Sequence, residues 1–210
     1  MLKQTSQAQT GTARGIETRT RLLDQAERLF SERGFHGVSL TEIATTCRLG
    51  NAGLLHHFPS KAKLYRAVLE RVAERLADRV ETAFRISTSP KERLQALIRD
   101  QAESSVDYPE GSRLVFRELM ENMERVEHAQ SLPLKEFVAR FCSLIEDAQN
   151  AGIARNGPAI AILTNILGAL AYAQIARPTF SRMHIDDALL ADDRRWMDAV
   201  ATQLEQAIFV

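Results

Sequence analysis

The chain has 210 residues, 45% of them hydrophobic, which is ample material for one large core or two small ones. Its two cysteines, Cys47 and Cys142, are far apart and suit small buried thiols in a reduced cytosolic protein, which excludes a disulfide scaffold. The 27 Lys/Arg and 27 Asp/Glu cancel, but residues 1–66 hold ten bases and five acids, so one end is basic and the rest acidic. Such a split fits DNA binding at one end, although it also arises by chance.

Residues 1–15 are polar, rich in Thr and Gln, and contain no secretory hydrophobic stretch; they read as a flexible N-terminal arm. Lys3 and Arg14 on that arm can touch phosphate or a minor groove, or simply fray. Leu22, Leu23, Ala26, Leu29 and Phe30 then form one helical stripe, and Gly34 is a helix-ending residue.

The stretch from 39 to 61 is the most informative. Ser39 and Glu42 have the spacing of a capping box, and Val38 and Ile43 that of a hydrophobic staple. Leu40, Ile43, Ala44 and Cys47 recur at helical spacing, Leu49-Gly50 breaks the run, and a helix of two turns follows until Pro59. Two short helices around a glycine-containing turn are the skeleton of a helix-turn-helix, whose second helix lies in the DNA major groove.

Beyond it the pattern is entirely helical. A fourth helix over 60–86 carries Leu64, Val68, Val72, Leu76, Val80 and Phe84 on one side, and a fifth covers 91–106. A sixth spans 110–127 with Phe116, Met120 and Met123, and a seventh spans 133–150 with Phe137 and Phe141. Pro158 suits the first turn of the eighth. The ninth runs over 186–208. No period-two run is long enough for a strand. The fold class is all-α: three short helices over 16–63, with a helix-turn-helix at about 39–58, then six over 64–210, which the resemblance given below makes a DNA-binding head and a ligand-binding and dimerisation domain.

Residues 158–176 contain no charge and are just long enough to span a bilayer. Asn165, Gln174, many alanines and the lack of an aromatic belt favour a buried bundle helix instead, so no membrane partner is expected.

Gly34-Phe35, Ser39-Leu40, Ile43-Ala44, Leu54, His57-Phe58, Ser60-Lys61 and Leu64-Tyr65 stand in a register that resembles the TetR family of bacterial transcriptional regulators, over about 16–70. The chain departs from that family at Gly50, where a serine usually caps the recognition helix, and at Leu55, where a tyrosine usually stands. The resemblance implies a homodimer paired through its eighth and ninth helices. It also implies phosphate contacts from His57 and Lys61, with His56 a substitute for the missing tyrosine.

Gly50 stands at the cap of the recognition helix, and if docking is standard, Asn51, Ala52 and Gly53 are the first residues to meet base edges. Asn51 can pair bidentately with adenine, and Ala52 can meet a thymine methyl or simply allow close approach. Thr41 can donate to phosphate or sit on a solvated face. Lys61 and Lys63 both fall in a first helical turn, where the macrodipole disfavours cations. A phosphate partner is a reason for Lys61, and Lys63 reads as solvated.

For an effector, the candidate lining is Phe116, Met120, Met123, Phe137, Phe141, Asn165 and Tyr172. Asn165 and Tyr172 are seven apart on one helix face and supply two polar groups among apolar neighbours, with Asn165 read as buried. Asn165 can equally pair with itself across a dimer axis.

Adjacent His56 and His57 point about 100° apart and cannot chelate one metal together. No histidine has an acid three residues before it, and there is no P-loop, nucleophile elbow or dinucleotide fingerprint. No catalytic site, metal or cofactor is expected. Two functions remain. One is a cytoplasmic, ligand-responsive regulator, a repressor in most of the family, that binds a palindromic DNA operator as a homodimer and is released by a small molecule. The other is a helical binding or scaffold protein with a DNA-incompetent head.

Overall fold

A computed structural model describes residues 4–121, 134–183 and 188–210. Among them are nine α-helices, a 3-10 turn and no strand. The helices are α1 (Gln4–Arg33), α2 (Leu40–Thr46), α3 (Asn51–His57), α4 (Lys61–Ile86), α5 (Pro90–Asp107), α6 (Pro109–Glu121), α7 (Lys135–Asn150), α8 (Ala159–Arg182) and α9 (Asp193–Ile208). The all-α reading holds. Met123, and the end of the sixth predicted helix, lie outside the described residues.

Two compact units divide the chain: residues 1–71 with 113–121, and residues 72–112 with 122–210. The division therefore falls inside α4, eight residues beyond the predicted boundary, and the head also takes α6 from Arg113 onward. That segment is tied to the head by specific bonds. Arg117 donates from Nε to the Ser31 carbonyl at 3.1 Å and from Nη2 to the Glu32 carbonyl at 3.0 Å. It thereby satisfies carbonyls that the end of α1 leaves open. The Tyr65 hydroxyl meets the Glu118 carboxylate, and Leu114 is fully buried.

In the head, Leu22, Ala26, Phe30, Ile43, Leu54, Phe58, Leu64 and Val68 form the buried set. Gly34 ends α1 with a φ of +71°, and its N–H reaches the Phe30 carbonyl at 2.8 Å. An added Cβ there would lie 2.8 Å from Glu121 Oε2, a flexible side-chain tip that can move aside, so it is the positive φ that favours glycine. The predicted capping box is half formed. Ser39 Oγ accepts from the Glu42 N–H at 3.1 Å, but the Glu42 carboxylate pairs with Arg33. A full guanidinium charge outcompetes a single backbone N–H for it.

α1 begins at Gln4, so the stretch read as a flexible arm is helical from there. No proline interrupts it, and Gln, Ala and Arg extend a helix at little cost once Leu22–Phe30 anchor it.

In the body, α5, α7, α8 and α9 close around Leu94, Leu97, Ile98, Phe137, Phe141, Leu144, Leu163, Ile166, Leu170, Met197 and Leu204. Arg99 on α5 clamps α9 with a bidentate grip on Glu205, 2.5 Å from Nε and 2.8 Å from Nη2, and also meets Thr202 and Asp198. The predicted ninth helix is split. A 3-10 turn covers Ala188–Ala191, and Asp192 then accepts from the N–H groups of Arg194 and Arg195 to start α9. An Asp at that position competes for the backbone and caps a new helix instead of continuing an old one.

α8 is not the fully buried helix that its composition suggested. It is long and apolar enough to cross a membrane, yet about a quarter of its most apolar window, 28%, is buried. Leu163, Ile166, Leu170, Ala173 and Ala176 face the core, while Ile160, Ala161, Thr164, Asn165, Gly168, Tyr172, Ile175 and Thr179 form a stripe open to solvent.

Candidate nucleic-acid interface

α2 and α3 are held by short-range bonds that the sequence dictates. Cys47 ends α2, and its N–H reaches the Ile43 carbonyl at 3.1 Å. The residue that turns the chain is Arg48, with a φ of +57°, and not the Leu49-Gly50 pair on which the sequence reading placed the break. Gly50 has an extended backbone at φ −77° and is the N-cap of α3 without any side-chain bond. The Leu49 N–H returns to the Ala44 carbonyl at 2.8 Å and closes the turn.

α3 buries Leu54, and Phe58 just beyond it is also buried, so both serve the core as expected. Its outer side carries Asn51, Ala52, Leu55 and His56, all exposed. Asn51 is not free of local partners: its Nδ2 donates to Thr41 Oγ1 at 3.0 Å. The predicted base reader and the predicted phosphate contact are thus linked. Gly53 is half-buried, and an added Cβ would meet only the Leu49 side chain of the turn, at an ordinary contact distance of 3.8 Å. His56 and His57 lie with ring centroids 5.5 Å apart, the first exposed and the second half-buried. Among the described residues no cluster of His, Cys, Asp and Glu could hold a metal ion.

Ser60 caps α4 by accepting from the Lys63 N–H at 3.2 Å, which puts Lys61 and Lys63 in the first turn as read from sequence. Lys61 Nζ rests 4.6 Å from the centre of the Phe35 ring, a cation–π contact that steadies the lysine against an unfavourable helix end. Beside α2 an open groove of about 490 Å³ is lined by Arg28, Leu29, Ser39, Thr41, Glu42, Thr45 and Thr46, four of them hydroxyl residues.

Burial pushes the Cys47 thiol up from its ordinary value, while nearby Arg21 acts in the opposite direction. The thiol is therefore protonated and inert, a packing group.

The predicted effector residues do not form one set. Phe137 and Phe141 are buried against each other, centroids 5.7 Å apart. Phe116 is half-buried and Met120 is 66% exposed, both in the head unit. Asn165, expected to be buried, is exposed, and Tyr172 is 65% exposed on the same outer stripe. The reason is geometric: positions 165 and 172 share a face, but the core takes the opposite face, through Leu163, Ile166 and Leu170. Sequence reasoning missed Gln101. It lies on α5, only 8% exposed, with its Nε2 making no hydrogen bond. A glutamine on the core side of an amphipathic helix was the available signal.

Comparison with known proteins agrees with these features. Residues 22–68 match the family described as "Bacterial regulatory proteins, tetR family", and residues 69–166 match "YcdC-like protein, C-terminal region". The HTH-type transcriptional regulator RutR of Escherichia coli K12 is 37% identical over 99 residues, which is 47% of this chain and 46% of that protein. The HTH-type transcriptional activator FasR of Mycolicibacterium smegmatis is 35% identical over 100 residues, 48% of this chain and 46% of FasR. The chain thus matches about half the length of these relatives. Among solved structures, AibR in complex with isovaleryl coenzyme A and operator DNA shares the fold at a TM-score of 0.67 and 22% identity, covering 89% of this chain and 97% of that one. With its helix-turn-helix head and helical body, this chain belongs to the TetR family of bacterial transcriptional regulators.

Proposed function

We propose that the chain is a cytoplasmic, non-enzymatic repressor that binds a palindromic operator as a homodimer and is released by a small molecule. The observation that carries the reading is the outer stripe of α8. Ile160, Ala161, Thr164, Asn165, Gly168, Tyr172 and Ile175 present a continuous uncharged surface, and Gly168 leaves open space where a Cβ would sit. A surface of that kind on a regulator suits a second copy, with α9 completing the contact. Two heads related by a two-fold axis read a palindrome.

In each head, Asn51 and Ala52 reach base edges, while Thr41, Gly50, Gly53, His56, His57 and Lys61 border or contact the backbone. Asn165 and Tyr172 pass from the effector set to the subunit face on this reading, because both are exposed on it. The effector is mostly apolar and meets the body near Phe137 and Phe141. A neighbour of the same fold is known with isovaleryl coenzyme A and operator DNA together. Gln101 adds a polar anchor, since a buried amide donor without a partner is satisfied by a ligand carbonyl or carboxylate. Release of DNA marks a repressor; FasR, an activator by name, shows that a relative can act in the other direction.

Light scattering combined with a mobility shift on the DNA upstream of the chain's own gene tests the proposal. A dimer that shifts this DNA as one complex, with half-sites related by two-fold symmetry in a footprint, is expected. A monomer at micromolar concentration, or no shift at any salt, overturns it and leaves a helical scaffold with an incompetent head.

A further inference from the structure

The head's arginines fall into two populations. Arg28, Arg33, Arg66, Arg71 and Arg117 each meet a carboxylate. Arg14, Arg19, Arg21, Arg48 and Arg113 are exposed and meet no acid among the described residues. Arg113 stands apart on α6, but the other four lie on α1 and at the end of α2. Arg14 and Arg21 are seven apart on α1, hence on one face. The Cys47 thiol donates to the Arg21 carbonyl at 3.6 Å, and Arg48 is the next residue in the chain. Two residues before Arg21, on a different face of α1, Arg19 lies 5.1 Å from the Phe58 ring centre, so this part of α1 passes the ends of both α2 and α3.

Two further observations point to a partner. From Ala13 to Arg21 no side chain of α1 is buried, whereas Leu22 and Leu23 are, so this part of the helix lies outside the head's core. Residues 1–21 contain Lys3, Arg14, Arg19 and Arg21 against the single acid Glu17, which suits a polyanion and little else. Arg48 also holds a left-handed backbone at φ +57°, where glycine sits without strain and arginine does not. A strained arginine with no ion pair is kept for what its guanidinium meets.

We propose that Arg14, Arg21 and Arg48 form a second surface for duplex DNA, gripping backbone phosphates beside the bases that α3 reads. The proposal rests on the DNA-binding reading above and extends it: the footprint on each side is longer than the helix-turn-helix alone would protect. Backbone contacts release counterions and carry no sequence preference, so their removal is read in the salt dependence.

The test uses full-length protein and a fluorescein-labelled duplex of arbitrary sequence, titrated by anisotropy over a range of potassium chloride concentrations. Arg14→Gln, Arg21→Gln and Arg48→Gly should each lower the slope of log K against log salt by about 0.9 per lost contact, and the triple variant by the sum. Arg48→Gly should also raise the thermal midpoint while weakening DNA binding, which a purely structural arginine would not do. A triple variant with the wild-type slope overturns this proposal alone. Wild-type protein with no salt-dependent binding overturns it together with the DNA-binding reading.

Discussion

The outer faces of α3 and α8 are both bare in a single chain, but they differ in length and chemistry. The α3 face is two turns long and sets an amide, a methyl group, an exposed leucine and an imidazole beside unpaired cations. The α8 face runs through Tyr172 and Ile175 without a charge until Arg182. Burying the second against a copy of itself desolvates almost nothing charged, whereas the first has donors and acceptors that only a polar edge can satisfy. On the proposed reading, exposed apolar area and exposed hydrogen-bonding groups would separate a subunit face from a reading face on the same molecule.

Breaking the α8 side should give the largest effect. Tyr172→Glu places a charge in a desolvated contact twice per dimer, at about 2 kcal/mol or more per copy, raising the dimer dissociation constant by roughly a thousandfold. Light scattering should then report monomers, with helical content unchanged by circular dichroism; a dimer of wild-type stability would remove α8 from the interface. On the α3 side, Asn51→Ala should cost about 1–3 kcal/mol at one base pair per half-site and relax the preference there. Equal weakening on all operator variants would make Asn51 a backbone contact.

Inside the body, Gln101→Leu should raise the urea midpoint by about 1 kcal/mol of stability and remove the effector response, because the unpartnered donor is gone. Loss of stability would mean that the amide has a structural partner. In the head, Ser39→Ala should cost about 1 kcal/mol by thermal unfolding, and Glu42→Ala less, since its exposed pair with Arg33 is worth little. The smallest effect is at Asp192. Backbone N–H bonds from Arg195 and Arg194 hold its carboxyl below the usual value. Its contribution is therefore present above the ordinary carboxylate range and fades as pH falls through the lowered one. Asp192→Asn should keep the cap and flatten that acid limb in a pH series of thermal midpoints.

Local chemistry made the head legible from sequence. Ser39, Gly34, Ser60 and Pro59 are caps and stops whose partners lie within four residues, and their outcome follows from the chain itself. The body's helices were legible from period alone, but which face of α8 the core takes was not. A helix apolar all round gives no stripe to orient it, and Asn165 was assigned inward for that reason. Arg48 was missed because left-handed turns are read from glycine, and here the glycine two residues later has an ordinary extended backbone. Arg117 acts through carbonyls distant in sequence, which no local rule reports.

The bond from Asn51 to Thr41 has a consequence for how a base would be chosen. One amide hydrogen of Asn51 is committed to the threonine hydroxyl oxygen, while the other hydrogen and the carbonyl remain open. On the proposed reading the side chain would meet DNA already aimed, with part of its rotamer entropy spent during folding, and the pair left over is a donor and an acceptor. Thr41 still has its own hydroxyl hydrogen to give a phosphate. The letter read at that position and the height at which the head rides over the backbone are then set by one shared joint, so a change at Thr41 would be felt at a base that the threonine never touches.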